Sequence, residues 1–159
     1  MKYITPEDLD ALSELARVAE RRRKNLNLHP SLDDPVQRLL NALEPGTYVR
    51  PHRHADSGGW ELFVRLRGRA VLLAFNGDGV VVERQELSST APVIEIPAGT
   101  WHTVAALESG TVLLEVKQGP YMPGTPGDFA PWAPPEGSAE AGVLEQWFRY
   151  ARTGECAER

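Results

Sequence analysis

Three of the four histidines in this 159-residue chain stand where they could hold a metal ion. His52 and His54 are one residue apart in Pro51-His52-Arg53-His54. On a β-strand that spacing points both imidazoles to the same face. Glu61 opens the next apolar-rich run, and His102 follows the turn Pro97-Ala98-Gly99. Three imidazoles and one carboxylate form a normal donor set for iron, manganese, nickel, copper or zinc. Such a site requires a rigid frame that brings all four donors to about 2.0–2.2 Å from one ion. Taken singly, each histidine is more simply read as a structural or surface residue; only as a set do they point to a metal. The fourth, His29, lies outside the pattern in Leu26-Asn27-Leu28-His29-Pro30. It reads as a surface or loop histidine, the alternative being an acid or base at the mouth of the site.

A frame of the required kind is written around these residues. Residues 36–118 alternate runs rich in Val, Leu, Ile and aromatics with turn signals such as Glu44-Pro45-Gly46, Arg67-Gly68, Asn76-Gly77-Asp78-Gly79 and Ser109-Gly110. Short, evenly spaced strands with no helical pattern between them predict a mainly β sandwich or barrel. Before them, residues 5–24 carry helix signals. Thr5 suits the N-cap, Pro6 the first turn, and Glu7 and Asp8 the positive end of the dipole. Leu9, Leu12, Leu15, Ala16 and Ala19 form one stripe, and Arg21, Arg22, Arg23 and Lys24 read as a solvated helix end rather than an anion-binding patch. After the β zone, residues 119–138 are too rich in Pro and Gly for regular structure. Their Tyr121, Phe129 and Trp132 predict a loop packed on the barrel. Residues 139–151 predict a short helix with Val143, Leu144, Trp147 and Phe148 on one side, and the last eight residues predict a frayed end. The resulting division is one domain, with a helical segment 1–30, a barrel 31–118, and a loop and helix 119–159.

Strand parity nominates further lining residues. Tyr48, Arg50, His52 and His54 share one parity, Glu61, Phe63 and Arg65 another, and His102, Val104 and Ala106 a third. Tyr48, Arg50, Phe63 and Arg65 are therefore the candidate substrate contacts, and the two arginines would favour a small anionic ligand, a carboxylate or phosphate. The plainer reading pairs Arg50 with an acid at the mouth and lets Arg65 escape through a bulge. Glu61 and Tyr48 are the candidates for proton transfer. Trp60, Leu62, Val64 and Leu66 take the opposite parity and form an outward apolar row. The run Ala70 to Phe75 is apolar on both faces. A helix shields roughly two strands, given a width of about 10 Å against a strand spacing of about 4.8 Å. The remaining surface predicts a homodimer, with the aromatic loop as the rival cover.

Composition bounds the class. Apolar residues make up 42% and charged residues 25%, an ordinary globular balance. No apolar run approaches a membrane span of about 18 residues, and the N-terminus has no signal-like apolar core. A net charge of −5 argues against nucleic acid as the main partner. The lone cysteine, Cys156, has no partner within the chain for a disulfide, which points to a reducing, cytoplasmic setting.

Two spacings resemble a known family. Gly46, five residues, His52-x-His54, six residues, Glu61, six residues, Gly68 resembles the first motif of the cupins, and Pro97-x-Gly99-x-x-His102 the second. The resemblance implies a double-stranded β-helix (jelly-roll) barrel in which His52, His54, Glu61 and His102 bind one divalent metal. The gap between His54 and Glu61 is longer than the family's usual one, through Ala-Asp-Ser-Gly-Gly, and Ala106 replaces a frequent Asn that is not a ligand. More of the chain is similar to the WbuC-type cupin-fold metalloproteins: Arg23 to Asn27, Asp34 to Leu43, Ile96 to His102, and Asp128 to Trp132. That group is associated with bacterial surface-polysaccharide gene sets, which favours a sugar-derived substrate, but the resemblance does not specify a reaction. The site itself reads as an enzyme's, acting on a sugar-derived or carboxylated substrate by metal-assisted isomerisation, epimerisation or oxygenation. The alternatives are a non-catalytic, metal-dependent small-molecule binding protein and, more weakly, a purely structural metal.

Overall fold

The computed structural model describes residues 1–54 and 59–156. Helix α1 (Pro6–Val18) is followed by β1 (Arg23–Asn27) and β2 (Val36–Leu43), then by β3 (Glu61–Arg67), β4 (Ala70–Phe75), β5 (Val81–Leu87) and β6 (Val93–Ile96). β7 (Trp101–Ala106), β8 (Thr111–Gln118) and helix α2 (Ala139–Phe148) complete the chain. The strands form two antiparallel sheets, in the orders β1-β2-β8-β3-β6 and β5-β4-β7. This is the mainly β, two-sheet architecture that the strand pattern predicts, with a helix at each end, and the jelly roll that the cupin resemblance implies.

Three apolar clusters fix the layers. Leu43, Phe63, Leu72, Leu87, Ile96, Val104 and Leu113 come from both sheets and fill the barrel. On the outside of the larger sheet, Leu12 and Ala16 of α1 pack on Leu40, Ala42 and Val112. Outside the smaller sheet, Leu144 and Phe148 of α2 pack on Val71, Leu73 and Phe75. The two-faced run Ala70 to Phe75 is thus covered from within the chain, with Trp132 against Phe75 at 5.0 Å between ring centres. The outward row on β3 lies beyond these clusters: Leu62 and Val64 are half-buried, Trp60 and Leu66 exposed.

α1 begins as its sequence requires. The Thr5 and Asp8 side chains form a capping box, with Pro6 in the first turn. It ends earlier than the basic run suggests. Ala19 turns extended, Arg22 takes a positive φ of 53°, and Arg23 starts β1. The correction to the predicted helix 5–24 has a physical cause: β1 gains a full ladder against β2, from Arg23 opposite Leu43 to Asn27 opposite Leu39. Nor is the basic run merely solvated. Arg21 and Arg23 both bridge Glu136, at 2.6 and 2.8 Å, and Arg22 Nε donates to the Pro45 carbonyl at 2.8 Å.

The C-terminal half also differs in detail. Tyr121 is exposed rather than packed, while Phe129 pairs with His52 in an isolated bridge. Within α2, Leu144 and Phe148 are buried but Val143 is 71% exposed. Residues up to Cys156 are not frayed: Val81 N donates to Glu155 O, Gly154 N donates to Val81 O, and Cys156 bridges Val80. Residues 157–159 lie outside the described residues.

Candidate metal centre

Each of the four predicted donors is delivered by a distinct piece of backbone. The segment before His54 runs antiparallel beside β7, but Pro51 has no amide hydrogen and limits the ladder there. His52 and His102 exchange both backbone hydrogen bonds, at 3.0 and 2.9 Å. On its other side the segment meets residues 128–130, with Arg53 N donating to Asp128 O and Ala130 N to Pro51 O, both at 2.8 Å. Gly99 lies at φ 76°, which L side chains rarely adopt. The turn it permits launches β7, so that His102 points into the barrel. Glu61 begins β3 and faces inward opposite Lys117 of β8. Most of the inserted loop between His54 and Glu61, Ala55 to Gly58, lies outside the described residues.

These elements bring ligand atoms of His52, His54, Glu61 and His102 within 4.8 Å of one another. His102 Nε2 is 2.9 Å from Glu61 Oε2, and His54 Nε2 is 2.9 Å from Glu61 Oε1. Despite that approach, His54 Nε2 is buried without a well-aligned hydrogen bond. Neighbouring donors held about 2.1 Å from an octahedral ion are themselves about 3 Å apart. The spacing therefore suits ligands that share an ion. The tautomers suit it too. His52 Nδ1 lies 2.9 Å from the Arg50 carbonyl, and His102 Nδ1 lies 2.9 Å from the Thr100 carbonyl. A carbonyl only accepts, so each Nδ1 carries a hydrogen, which leaves Nε2 as the atom that would ligate a metal once its own proton is gone. The donor set fits a divalent transition metal.

The electrostatics of the bare site are strongly divided. Burial, aided by the charge of His102, lowers the His52 pKa to about 3, so this imidazole is neutral. Burial also opposes a charge on His102, but the hydrogen bond and charge of Glu61 outweigh it and raise the His102 pKa. Burial would raise Glu61; His102, His54 and Lys117 together hold it well below the ordinary carboxylate range.

Two polar residues that the sequence reading passed over stand beside the four donors. Lys117 Nζ is 3.2 Å from Glu61 Oε1 and 2.6 Å from Glu115 Oε1. Asn41 Nδ2 donates to Glu115 Oε2. Burial works against the Lys117 charge, yet Glu115 and Glu61 raise its pKa, while burial and the charge of Glu61 raise that of Glu115. The signal was present in Thr111-Val112-Leu113-Leu114-Glu115-Val116-Lys117. With Leu113 in the barrel, Glu115 and Lys117 must follow it inward.

Of the other nominated residues, Phe63 stays in the barrel, while Tyr48, Arg50 and Arg65 are committed to contacts of their own. Phe63 lines the barrel beside Val104 and Leu113. The Tyr48 phenol donates to the Pro134 carbonyl at 2.9 Å, its ring stacked on Phe148 outside the smaller sheet, and burial raises its pKa. Arg50 Nε donates to the Ala133 carbonyl at 3.1 Å, and its guanidinium lies over Phe129. Arg65 Nε donates to the Gly68 carbonyl, where the β3 register shifts. His29 is no surface histidine. It is only 6% exposed, because the chain folds back after β1 and its Nδ1 meets the Arg38 backbone at 2.9–3.0 Å.

Residues 4–87 match a family model described as a domain of unknown function, DUF6016. The chain belongs to this family. The matched stretch holds His52, His54 and Glu61, and the DUF6016 chain supplies His102 beyond it. A comparison with curated proteins returns no match. Solved structures show what the fold resembles. A cupin superfamily protein from Desulfitobacterium hafniense is 21% identical at a TM-score of 0.53, over 74% of this chain and 92% of its own. The TT1209 protein of Thermus thermophilus is 23% identical at 0.53, over 74% and 97%. A conserved Streptococcus pyogenes protein of unknown function is 18% identical at 0.53, over 77% and 93%. These likenesses show the cupin fold. Among the described residues, no helix is long and apolar enough to cross a membrane.

Proposed function

We propose that this DUF6016 chain is a metal-dependent small-molecule enzyme in which His52, His54, Glu61 and His102 hold one divalent transition metal. The observation that carries the reading is the convergence of the four donors, with the Nδ1 atoms of His52 and His102 committed to backbone carbonyls. A bound divalent ion would polarise a substrate hydroxyl, carbonyl or carboxylate oxygen and ease proton removal beside it. The chain's own groups supply the rest. Phe63 and Val104 form dry walls, while Lys117 orients Glu61 through Oε1. The Lys117–Glu115 pair holds a proton on Nζ within reach of the site. The substrate in this reading is sugar-derived or carboxylated, and the reaction an isomerisation or epimerisation, or an oxygenation.

The N-terminal and Asp128 to Trp132 segments that resemble WbuC-type proteins support a place in surface-polysaccharide synthesis, in a cytoplasmic protein. Two contacts favour the alternative, a non-catalytic metal-dependent binding protein. Tyr48 is committed to Pro134, and Lys117 is clamped between two carboxylates.

Elemental analysis of purified protein, followed by oxygen-uptake and sugar-turnover assays with each metal restored, tests the reading. Iron with oxygen uptake selects oxygenation. A redox-inert metal with sugar turnover selects isomerisation. Metal-dependent ligand binding without turnover selects the binding protein. Purified protein that takes up no divalent metal overturns all three.

A further inference from the structure

The inner face of the larger sheet continues past the cluster, and register shows what it carries. Directly opposed residues of an antiparallel pair share a face. Glu61 of β3 is opposite Lys117 of β8, and Phe63 is opposite Glu115. Glu115 is opposite Leu39 of β2, and Leu113 is opposite Asn41. Asn41 is opposite Asn25 of β1, and Leu39 is opposite Asn27. One face therefore runs from Glu61 through Lys117, Glu115 and Asn41 to Asn25 and Asn27. Its members touch: Lys117 bridges Glu61 and Glu115, Asn41 donates to Glu115, and Asn25 Nδ2 donates to Asn27 Oδ1 at 3.2 Å.

Exposure along this row rises away from the cluster. Glu61 and Glu115 are buried, Leu39 and Asn41 half-buried, Asn25 and Asn27 exposed. The opposite face of β1 turns to α1 through Leu26, which pairs with Leu40. This edge strand points Arg23, held by Glu136, and the amides Asn25 and Asn27 inward, and Lys24 and Leu26 outward, so its inner side is polar.

We propose that this face is a single binding strip for a carbohydrate-type ligand longer than one sugar unit. A metal-coordinating oxygen would sit at the cluster, and hydroxyls would lie on Asn41, Asn25 and Asn27. The strip crosses three inter-strand steps, about 14 Å at about 4.8 Å each. Carboxamides both donate and accept, which matches vicinal hydroxyls. Among the described residues, Asn25 Oδ1 and Asn27 Nδ2 have no protein partner and remain available. The charges along this face are paired, Lys117 with Glu61 and Glu115 and, at the start of β1, Arg23 with Glu136, and the chain carries −5 overall, which disfavours a polyanion such as nucleic acid. The inference rests on the metal reading above and deepens it.

Two probes of different length test it on the zinc-loaded protein. Gluconate offers a carboxylate and an adjacent hydroxyl to the metal, and lactobionate adds one pyranose ring to the same head. Affinities come from calorimetry, and contacts from the side-chain amide signals of Asn25 and Asn27 in nitrogen-labelled protein. Lactobionate is expected to bind about tenfold more tightly than gluconate and to shift both amide pairs. In the Asn25→Ala/Asn27→Ala variant, with its melting temperature measured alongside, the ratio of the two affinities should fall to near one. Equal affinities in the wild type, unmoved amide signals, or a ratio that survives the double substitution would each overturn the strip. If gluconate binding needs zinc but lactobionate gains nothing, the strip falls and the metal reading stands. If the lactobionate gain persists in zinc-free protein, the metal reading falls and the strip stands. Failure of both probes to bind overturns the strip.

Discussion

Among the four donors, protons and metal compete unequally. His52 is neutral in the folded chain until about pH 3, whereas a free imidazole titrates near 6.5. The unfolded chain therefore binds a proton that the folded one refuses, so His52 contributes stability above about pH 6.5 that drains away as pH falls towards 3. With a chelator present, urea unfolding of wild type and His52→Gln should show the wild type losing more stability between pH 7 and pH 4.5. An equal loss would refute the assignment. His102 has the opposite sign. Its pKa is raised, so its ion pair with Glu61 stabilises the metal-free protein below about pH 6.5 and is lost as pH rises through the folded value. A metal must displace that proton. Zinc affinity measured from pH 5 to 8 should climb with pH as protons are released, and a flat profile would contradict ligation by His102. Spacing and the cupin resemblance nominated these four residues, and the fold brings them together. Neither could identify Lys117 and Glu115. Their place depends on which face of β8 meets the barrel, and a helix at residues 6–18 decides that by covering Val112 and Leu114.

Elements here are set by what packs on them more than by their own propensities. α2 exists to cover Val71, Leu73 and Phe75, and Phe148 at its end is fully buried among them. Phe148→Ala should lower unfolding free energy by about 3–5 kcal/mol, while Val143→Ala on the exposed side should change it by less than about 0.5 kcal/mol. Thermal denaturation of the two variants separates them, and similar losses would reject this packing. The β3–β4 turn gives a sharper case. Gly68 has φ 70°, and a Cβ there would lie 2.4 Å from Thr111 Oγ1 and 2.7 Å from its Cα. Gly68→Ala should cost at least about 1–3 kcal/mol from backbone strain alone, measurable by the same denaturation. The strands were readable because alternation and turn residues coincide. The helix end was not, since Arg21 to Lys24 are equally at home in a last turn or an edge strand. Pairing with β2 decided it, a long-range term that no local window contains.

For the whole molecule, the question is which surfaces remain apolar once the chain has covered itself. The sequence placed two such faces. The one over Ala70 to Phe75 is occupied by α2, which the sequence did not nominate for it, and by Trp132 of the aromatic loop weighed as the rival cover, while the row Trp60, Leu62, Val64 and Leu66 stays outside the core clusters. The proposed homodimer must use that row. Sedimentation at micromolar concentration should give twice 17.6 kDa, and Leu62→Asp or Val64→Asp should return it to one. A wild-type mass near 17.6 kDa would remove the dimer. The sequence could not rank the two faces, because residues 119–138 announce aromatics without saying where they land. The latch that fastens this segment also imposes an order in time. Arg21 and Arg23 meet Glu136 across more than a hundred residues of chain. On a ribosome adding residues from the N-terminus, β1 can pair with β2 early, but its basic end stays unmatched until nearly the whole polypeptide has emerged. Contacts of such separation slow folding. Fragments stopped before Glu136 should therefore hold β1 through β2 alone and be cut by proteases at Arg21 to Lys24 sooner than the full chain.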